Sequence, residues 1–355
     1  MKILVIQQQM IGDVLTSSIL FEALRKKYPD AELHYLIYKH TLPVVENNPY
    51  IDRCILYEPG LNKNPIKFLT FLRGIRQMEY TDVIDVYSKI STGLISLFSA
   101  AEKRLSYEKK YTSHFYSLTF EQIKEPDSHA GLAIENRMQF LQGLFQDHPK
   151  YLRPKIYLDE SRKKEAGLRL EKGGIEKKNP VIMCGVLGSS KNKSYPPQFM
   201  ASLLDRTVEQ LKNAQILLNF SPEQKIEAMD IVSLCSPATR SRIFLNLYTE
   251  KLEDYITTCA NCDLFIGNEG GAANIAKALS IPTFSIHSPS IRKNYWGIFN
   301  KDKDKVSVHL EDYYPELFQN KKNSEIKKLN RQYYQLFSPD LIAPDLKRFL
   351  KKFEV

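Results

Sequence analysis

Short apolar runs alternate with longer stretches of helical periodicity from the first residues onward, the pattern of a parallel sheet with crossover helices. Residues 2–7 predict a first buried strand and 13–28 a helix. In that helix Val14, Leu15, Ser18, Ile19, Ala23 and Leu24 make an apolar stripe of about 3.6-residue period, and Pro29 stops it. Strands follow at 32–37, 54–57, 82–87 and 104–107, with a helix over 66–78. After a charged helical stretch over 159–172 and the pair Gly173-Gly174, the alternation restarts with strands at 180–186, 215–220, 242–245, 263–267 and 282–286. From about residue 312 the chain reads as helical, and its Leu336, Phe337, Leu341, Leu346, Phe349, Leu350 and Phe353 need a surface to cover. The prediction is an α/β protein of two doubly wound lobes. In such sheets ligands bind beyond the carboxyl ends of the strands, so the loops after each strand are where chemistry is expected.

Composition narrows the class. A chain of 355 residues is too long for one ordinary core, and 43% hydrophobic with 26% charged residues is a globular balance. No apolar run approaches the ~20 residues that span a bilayer. Met1-Lys2 leads straight into Ile3-Leu4-Val5-Ile6, too short a run for a signal peptide, so a cytoplasmic protein is expected. The five cysteines are scattered. Cys259 and Cys262 form a C-x-x-C at a helix-to-strand junction without histidines or a second pair, which reads as buried small hydrophobes rather than a metal site. The formal net charge of +9 favours polyanionic partners: nucleic acid, an anionic membrane face or phosphorylated small molecules. No zinc-finger spacing, RNP-type aromatic run or basic heptad helix is present, which argues against nucleic acid.

Three loops carry candidate chemistry. The first strand ends in a turn with Gly12 and Asp13; Gly12 permits a tight turn, and Asp13 stands at a helix start, where capping is its plain reading. In the second half, the strand at 180–186 runs into Gly188-Ser189-Ser190-Lys191-Asn192-Lys193, where small hydroxyl residues and lysine can hold a phosphate, or simply make a solvated basic turn. The third is Gly267-Asn268-Glu269-Gly270-Gly271-Ala272-Ala273-Asn274, which reads strand, glycine turn, helix. Its glycines let a ligand approach, and the free N–H groups and dipole of the helix favour an anion; a plain β-α turn is the alternative. Glu223 stands at another strand end, where a glutamate commonly only decorates a helix start.

The sequence Gly12-Asp13-Val14-Leu15, its amphipathic helix, the K-K-Y-P-D-A stop at 26–31 and the second strand together resemble the opening of the ADP-heptose:lipopolysaccharide heptosyltransferases, glycosyltransferase family nine. The resemblance covers nearly the whole chain in order and is sharp at the first turn and at the Glu269 turn. It implies a GT-B fold: two Rossmann-like doubly wound lobes facing a central cleft, an acceptor-side lobe at 1–158, a nucleotide-sugar lobe at 159–325, and a helical segment at 326–355 crossing back onto the first lobe. It makes Asp13 the general base and places Gly12 in the site. The phosphate loop with Ser189 and Lys193 matches a family lysine shortly before a Trp-Pro pair, here Tyr195-Pro196. The nucleotide diphosphate site falls on Gly270, Gly271, Ala272 and Asn274. It is opened by the acidic Glu269, which lies near the transferring sugar and with Asp13 and Lys193 completes the catalytic set. Many members have aspartate at position 269 and histidine at 274, so a contact that could be cationic is neutral here. Glu223 matches a residue holding the ribose hydroxyls, and Leu245 and Leu247 residues flanking adenine.

What the resemblance implies is an inverting, metal-independent transfer of a sugar, heptose from ADP-heptose, onto a hydroxyl of a lipopolysaccharide core or related cell-envelope glycan. The ADP-sugar donor enters as a substrate and no cofactor is required. The partners expected are the donor, a lipid-linked glycan acceptor and, through the basic tail, an anionic membrane surface at the inner face of the plasma membrane. Lys109-Lys110-Tyr111 is the candidate acceptor rim, with a solvated loop as its alternative. Two rival readings are an epimerase of similar two-lobed architecture, which needs no acceptor, and a non-catalytic glycan-binding protein on the same fold.

Overall fold

The computed structural model describes residues 1–299 and 302–354, and it divides into two units, Met1–Tyr157 and Leu158–Val355. The first unit runs β1 (Lys2–Ile6), α1 (Ile11–Ser17), α2 (Ile19–Lys27), β2 (Glu32–Tyr38), β3 (Arg53–Tyr57), α3 (Pro65–Gln77), β4 (Asp82–Asp85), α4 (Ile90–Ser99), β5 (Lys103–Tyr107), β6 (Leu118–Phe120) and α5 (Leu132–Met138). Its six strands lie in the order β3-β2-β1-β4-β5-β6 and pair in parallel throughout. Ile3, Leu4, Val5 and Ile6 have no exposed surface, as expected of a parallel strand covered on both faces. The helix expected over 13–28 is two helices meeting at Ser18, whose hydroxyl donates to the Leu15 carbonyl at 2.7 Å. That side-chain bond to its own backbone competes with the helical ladder. β2 and β4 flank β1 on opposite sides, so the chain reverses direction across the sheet at the β1/β4 edge, where ligand crevices form.

The second unit begins with α6 (Glu160–Lys172), β7 (Val181–Gly185), α7 (Pro197–Gln210), β8 (Gln215–Asn219), α8 (Lys225–Leu234), α9 (Pro237–Arg240) and α10 (Leu252–Cys259). It continues through β9 (Leu264–Asn268), α11 (Gly271–Ala278), β10 (Thr283–Ile286), α12 (Lys293–Trp296), β11 (Lys305–Val308), α13 (Asn323–Leu336) and α14 (Pro339–Leu350). The strand order is β11-β10-β9-β7-β8, again all parallel. Here the reversal falls between β7 and β9. Both strands carry the candidate donor loops at their carboxyl ends.

One expectation needs correction. The strand expected over 242–245 is absent: Ile243 makes one isolated bridge to Ile216, and Leu245–Leu247 is a 3-10 turn. Tyr248 stacks on Phe220 at 4.2 Å and donates to its carbonyl at 3.1 Å, while Leu247 packs so closely on Gly173 that a Cβ there would lie 2.3 Å from it; both contacts draw the chain off the sheet. The C-terminal segment contributes to the second unit's core. Phe337, Ile342, Leu346, Phe349 and Leu350 cluster with Met200, Leu203 and Leu204 of α7, and the Tyr195 hydroxyl donates to the Phe337 carbonyl at 2.7 Å. Each such buried side chain contributes about 1.5–3 kcal/mol, so the apolar stripe of α14 is spent on α7.

Candidate active site

In the second unit the two donor loops are fastened to each other by a residue that sequence reasoning passed over. Asn268, the last residue of β9, is 3% exposed. Its Oδ1 accepts from the Tyr195 backbone N–H at 2.7 Å, and its Nδ2 donates to the Gly185 carbonyl at 3.0 Å. The loop after β7 is therefore held against the turn after β9. Its own conformation depends on Gly188, where a Cβ would stand 2.3 Å from the Lys193 carbonyl oxygen. The Gly188 N–H donates to the Ser194 hydroxyl at 3.0 Å, its carbonyl accepts from Gln224 at 2.7 Å, and the Asn192 carbonyl accepts from Ser288 and Asn330, each at 2.8 Å. On this braced scaffold Ser189 and Lys193 are exposed.

The turn after β9 is similarly anchored, with the Glu269 N–H donating to the Ile286 carbonyl at 2.8 Å. Gly270 caps α11 with φ +156, a backbone conformation that L side chains rarely adopt, and nothing lies within 4 Å of where a Cβ would be. That open space lies beside the first turn of α11, whose leading N–H groups have no partner within the helix, the arrangement that binds anions. Glu269 is 7% exposed and accepts from Asn274 Nδ2 at 3.2 Å. Gly270, Gly271, Ala272 and Asn274 thus lie together in one turn, with Ser189 and Lys193 on the loop that Asn268 ties to it.

Glu223 lies beside Gln224, whose side chain donates to the Gly188 carbonyl at 2.7 Å and so borders the loop of Ser189 and Lys193. Glu223 is exposed, and its carboxyl is held below the usual range by its own backbone N–H and by the Ser221 hydroxyl. Leu245 is exposed, whereas Leu247 is buried against Gly173 and packs in the interior. Cys259 and Cys262 are buried free thiols; burial pushes Cys259 up to about 12 and Cys262 well above the ordinary thiol range.

In the first unit, Gly12 and Asp13 lie inside the first turn of α1, which starts at Ile11, and the N-cap is Met10. Asp13 is therefore not the cap; its Oδ2 accepts from the Met10 N–H at 3.5 Å, one arm of a capping box. Gly12 is helical and buried rather than forming a tight turn. The stronger partner of Asp13 is Arg137 of α5, a residue that no motif marks. Its Nη2 donates to Asp13 Oδ1 at 2.7 Å, its Nε to Ser17 Oγ at 2.8 Å and its Nη1 to the Ala133 carbonyl at 2.6 Å. The Arg137 side chain is 3% exposed and that of Asp13 29%, so one carboxylate oxygen is clamped while water still reaches the group.

At the carboxyl end of β4, Asp85 is fully buried; burial raises its carboxyl to about 6, against the Tyr116 hydroxyl at 2.7 Å and the Ser88 N–H at 2.8 Å. Lys109 donates to the Ser88 carbonyl at 3.0 Å and is half-buried, which lowers its ammonium. Tyr111, two residues on, is exposed.

The sequence model of the family described as Glycosyltransferase family 9 (heptosyltransferase) matches residues 68–327. The chain belongs to that family. Lipopolysaccharide heptosyltransferase 1 of Campylobacter coli is 24% identical over 310 residues, covering 85% of this chain and 88% of that protein. Among solved structures, a family 9 glycosyltransferase from Veillonella parvula superposes with a TM-score of 0.74 at 16% identity, covering 94% and 97% of the two chains. The heptosyltransferase WaaC of Escherichia coli with ADP superposes at 0.67 and 14% identity, covering 94% and 100%. The two-lobed GT-B expectation holds, and the enzyme is a glycosyltransferase; family membership decides against an epimerase and against a non-catalytic binding protein. Among the described residues, no helix is long and apolar enough to cross a membrane.

Proposed function

We propose that this glycosyltransferase moves a heptose from ADP-heptose onto a hydroxyl of a lipopolysaccharide core, with inversion at the anomeric carbon. The observation that carries the donor half is the Asn268 link: it ties the loop of Ser189 and Lys193 to the Glu269-Gly270-Gly271 turn at the β7/β9 edge, giving a diphosphate a lysine and a helix N-terminus together. The WaaC structure with ADP supports adenine as the base. The heptosyltransferase relative from Campylobacter coli supports the acceptor class.

In this reading Asp13 takes the proton of the acceptor hydroxyl as that oxygen forms its bond to the anomeric carbon. The bond from that carbon to the donor phosphate oxygen breaks, and the electron pair leaves with ADP. Lys193, Ser189 and the first N–H groups of α11 stabilise the charge growing on the departing diphosphate, work that needs no metal. Glu269 orients the sugar and favours positive charge at the anomeric carbon. Arg137 keeps Asp13 on one rotamer, so that its other oxygen is the one presented to the acceptor. Glu223 holds the ribose, with Leu245 beside the base. Lys109 and Tyr111 contribute to acceptor recognition. The exposed cations Lys327, Lys328, Arg331, Lys347, Arg348, Lys351 and Lys352 draw the enzyme to an anionic membrane face.

The test is a thermal-shift series with ADP, UDP, GDP and CMP, followed by transfer assays from the matching sugar donors to a lipopolysaccharide-core acceptor. ADP is expected to stabilise most, since a ligand of the native state raises stability by mass action, and ADP-heptose to be consumed only with acceptor present. Stronger stabilisation by UDP or GDP overturns the donor assignment.

A further inference from the structure

Behind Glu269 lies a group of buried polar side chains that the proposed reaction does not use. Asn274 and Lys277 are three residues apart in α11, hence on one face of it, and are 2% and 4% exposed. Asn274 Nδ2 is bonded to Glu269, but among the described residues Asn274 Oδ1 and Lys277 Nζ have no hydrogen-bond partner. The ends of β10 and β11 add His287 and His309, both buried, with both ring nitrogens of the first and Nε2 of the second also without partner. Unpartnered polar atoms in an interior cost about 1–3 kcal/mol each, so five of them in α11 and at the ends of β10 and β11 call for a reason.

Charge supplies one. Burial drives His309 down to about 4 and His287 well below the ordinary imidazole range, so both are neutral near pH 7. Lys293 and Lys305 face the cluster and push in the same direction, while Asp312 opposes them at His309. The carboxylate that supports the Lys277 ammonium is Glu269; against it, burial lowers Lys277 to about 8. Positive charge near a carboxylate that is 7% exposed favours its charged form.

We propose that Lys277 is a positioning residue for Glu269: its buried ammonium, one helical turn behind Asn274, adds positive charge that supports the Glu269 carboxylate beside the Gly270-Gly271 turn. This rests on the reading of Glu269 as the acid beside the transferring sugar. The cation is internal to the enzyme, set within the helix that binds the donor, and it makes turnover depend on the protonation of a lysine.

The experiment is the pH profile of kcat and donor KM for the wild type, Lys277→Arg, Lys277→Met, Glu269→Gln and the double variant Glu269→Gln/Lys277→Met. Wild-type kcat is expected to fall as pH rises through about 8, where Lys277 loses its proton. Lys277→Arg, which stays charged, is expected to remain active and to lose that limb. Lys277→Met lowers kcat at least tenfold with donor KM changed less than threefold, and the double variant is no slower than Glu269→Gln alone. If the arginine variant misfolds, the methionine variant, of similar length and without charge, still decides. The inference is overturned if the limb near pH 8 is absent from the wild type or persists in Lys277→Arg, if Lys277→Met turns over like the wild type, or if the two substitutions are additive. Should Glu269→Gln leave kcat unchanged, the reading of Glu269 itself has failed and takes this inference with it; loss in Glu269→Gln with a wild-type Lys277→Met sinks the Lys277 assignment alone.

Discussion

Asp13→Asn separates the structural from the catalytic share of the Asp13–Arg137 pair. The substitution keeps the shape of the side chain and removes its charge, stranding a guanidinium whose side chain is only 3% exposed, against 29% for Asp13. Breaking a fully buried pair from one side costs about 3–5 kcal/mol. Here Arg137 retains its bonds to Ser17 and Ala133, and an amide oxygen at position 13 still accepts, so a loss of about 2–3 kcal/mol is expected, nearer that of one charge-assisted hydrogen bond. For a unit spanning Met1–Tyr157 this lowers the melting midpoint by about 5–10 °C. Removing both charges in Asp13→Asn/Arg137→Met should recover at least half of the loss, because a buried pair replaced as a whole is often nearly neutral. Turnover should fall by roughly 10²-fold or more in both variants, as for a lost general base. Stability should be followed by calorimetry and far-ultraviolet circular dichroism, since the single tryptophan, Trp296, lies in the other unit and its fluorescence reports on the wrong one. Turnover should be followed by ADP release in the presence of acceptor. A double variant with restored stability and near wild-type turnover would refute the base assignment; an Asp13→Asn protein as stable as the wild type would refute the account of the buried pair.

Further expectations concern the second unit. Lys193→Ala should weaken ADP about tenfold to hundredfold by calorimetric titration, the equivalent of about 1.5–3 kcal/mol for one charge-assisted contact, without changing the order of preference among nucleotides. Gly188→Ala should weaken ADP at least as much, because its Cβ would stand 2.3 Å from the Lys193 carbonyl oxygen and displace the loop; unchanged ADP affinity would show that the loop does not shape the site. Excess EDTA should leave transfer intact, since Lys193 and the start of α11 are assigned the metal's usual work; loss restored by magnesium would contradict this. His309 is held neutral, its folded value of about 4 lying below the ordinary 6.5. Its contribution to stability is therefore present above pH 6.5 and lost as pH falls toward 4, and acid unfolding of wild type against His309→Asn should show a difference growing to about 3 kcal/mol across that window.

How much of this was legible in the sequence depends on the range of the interaction. β1, β2, β7 and β9 announce themselves as continuous apolar runs because both faces of a parallel strand are covered, a local property of the chain. The Glu269 turn was legible for the same reason: strand, glycines and helix are contiguous. The 242–245 run failed because Leu247 and Tyr248, just beyond it, are claimed by Gly173 and Phe220, contacts no window around position 244 contains. The packing of the tail on α7 was not legible either: periodicity shows that α14 has an apolar face, but only the complementary face of α7 shows what it meets there. Arg137 carries no motif. An arginine in a short helix looks like solvated charge until the fold brings it to Asp13, 124 residues away. Asn268 and Lys277 lie within the most legible segment of all, yet they read as a strand end and a helix surface. What distinguishes them is burial: a polar side chain closed off from water must find a partner or be supported by a charge. The segment thus names the ligand-facing residues, while those that brace them become visible only when the interior is known.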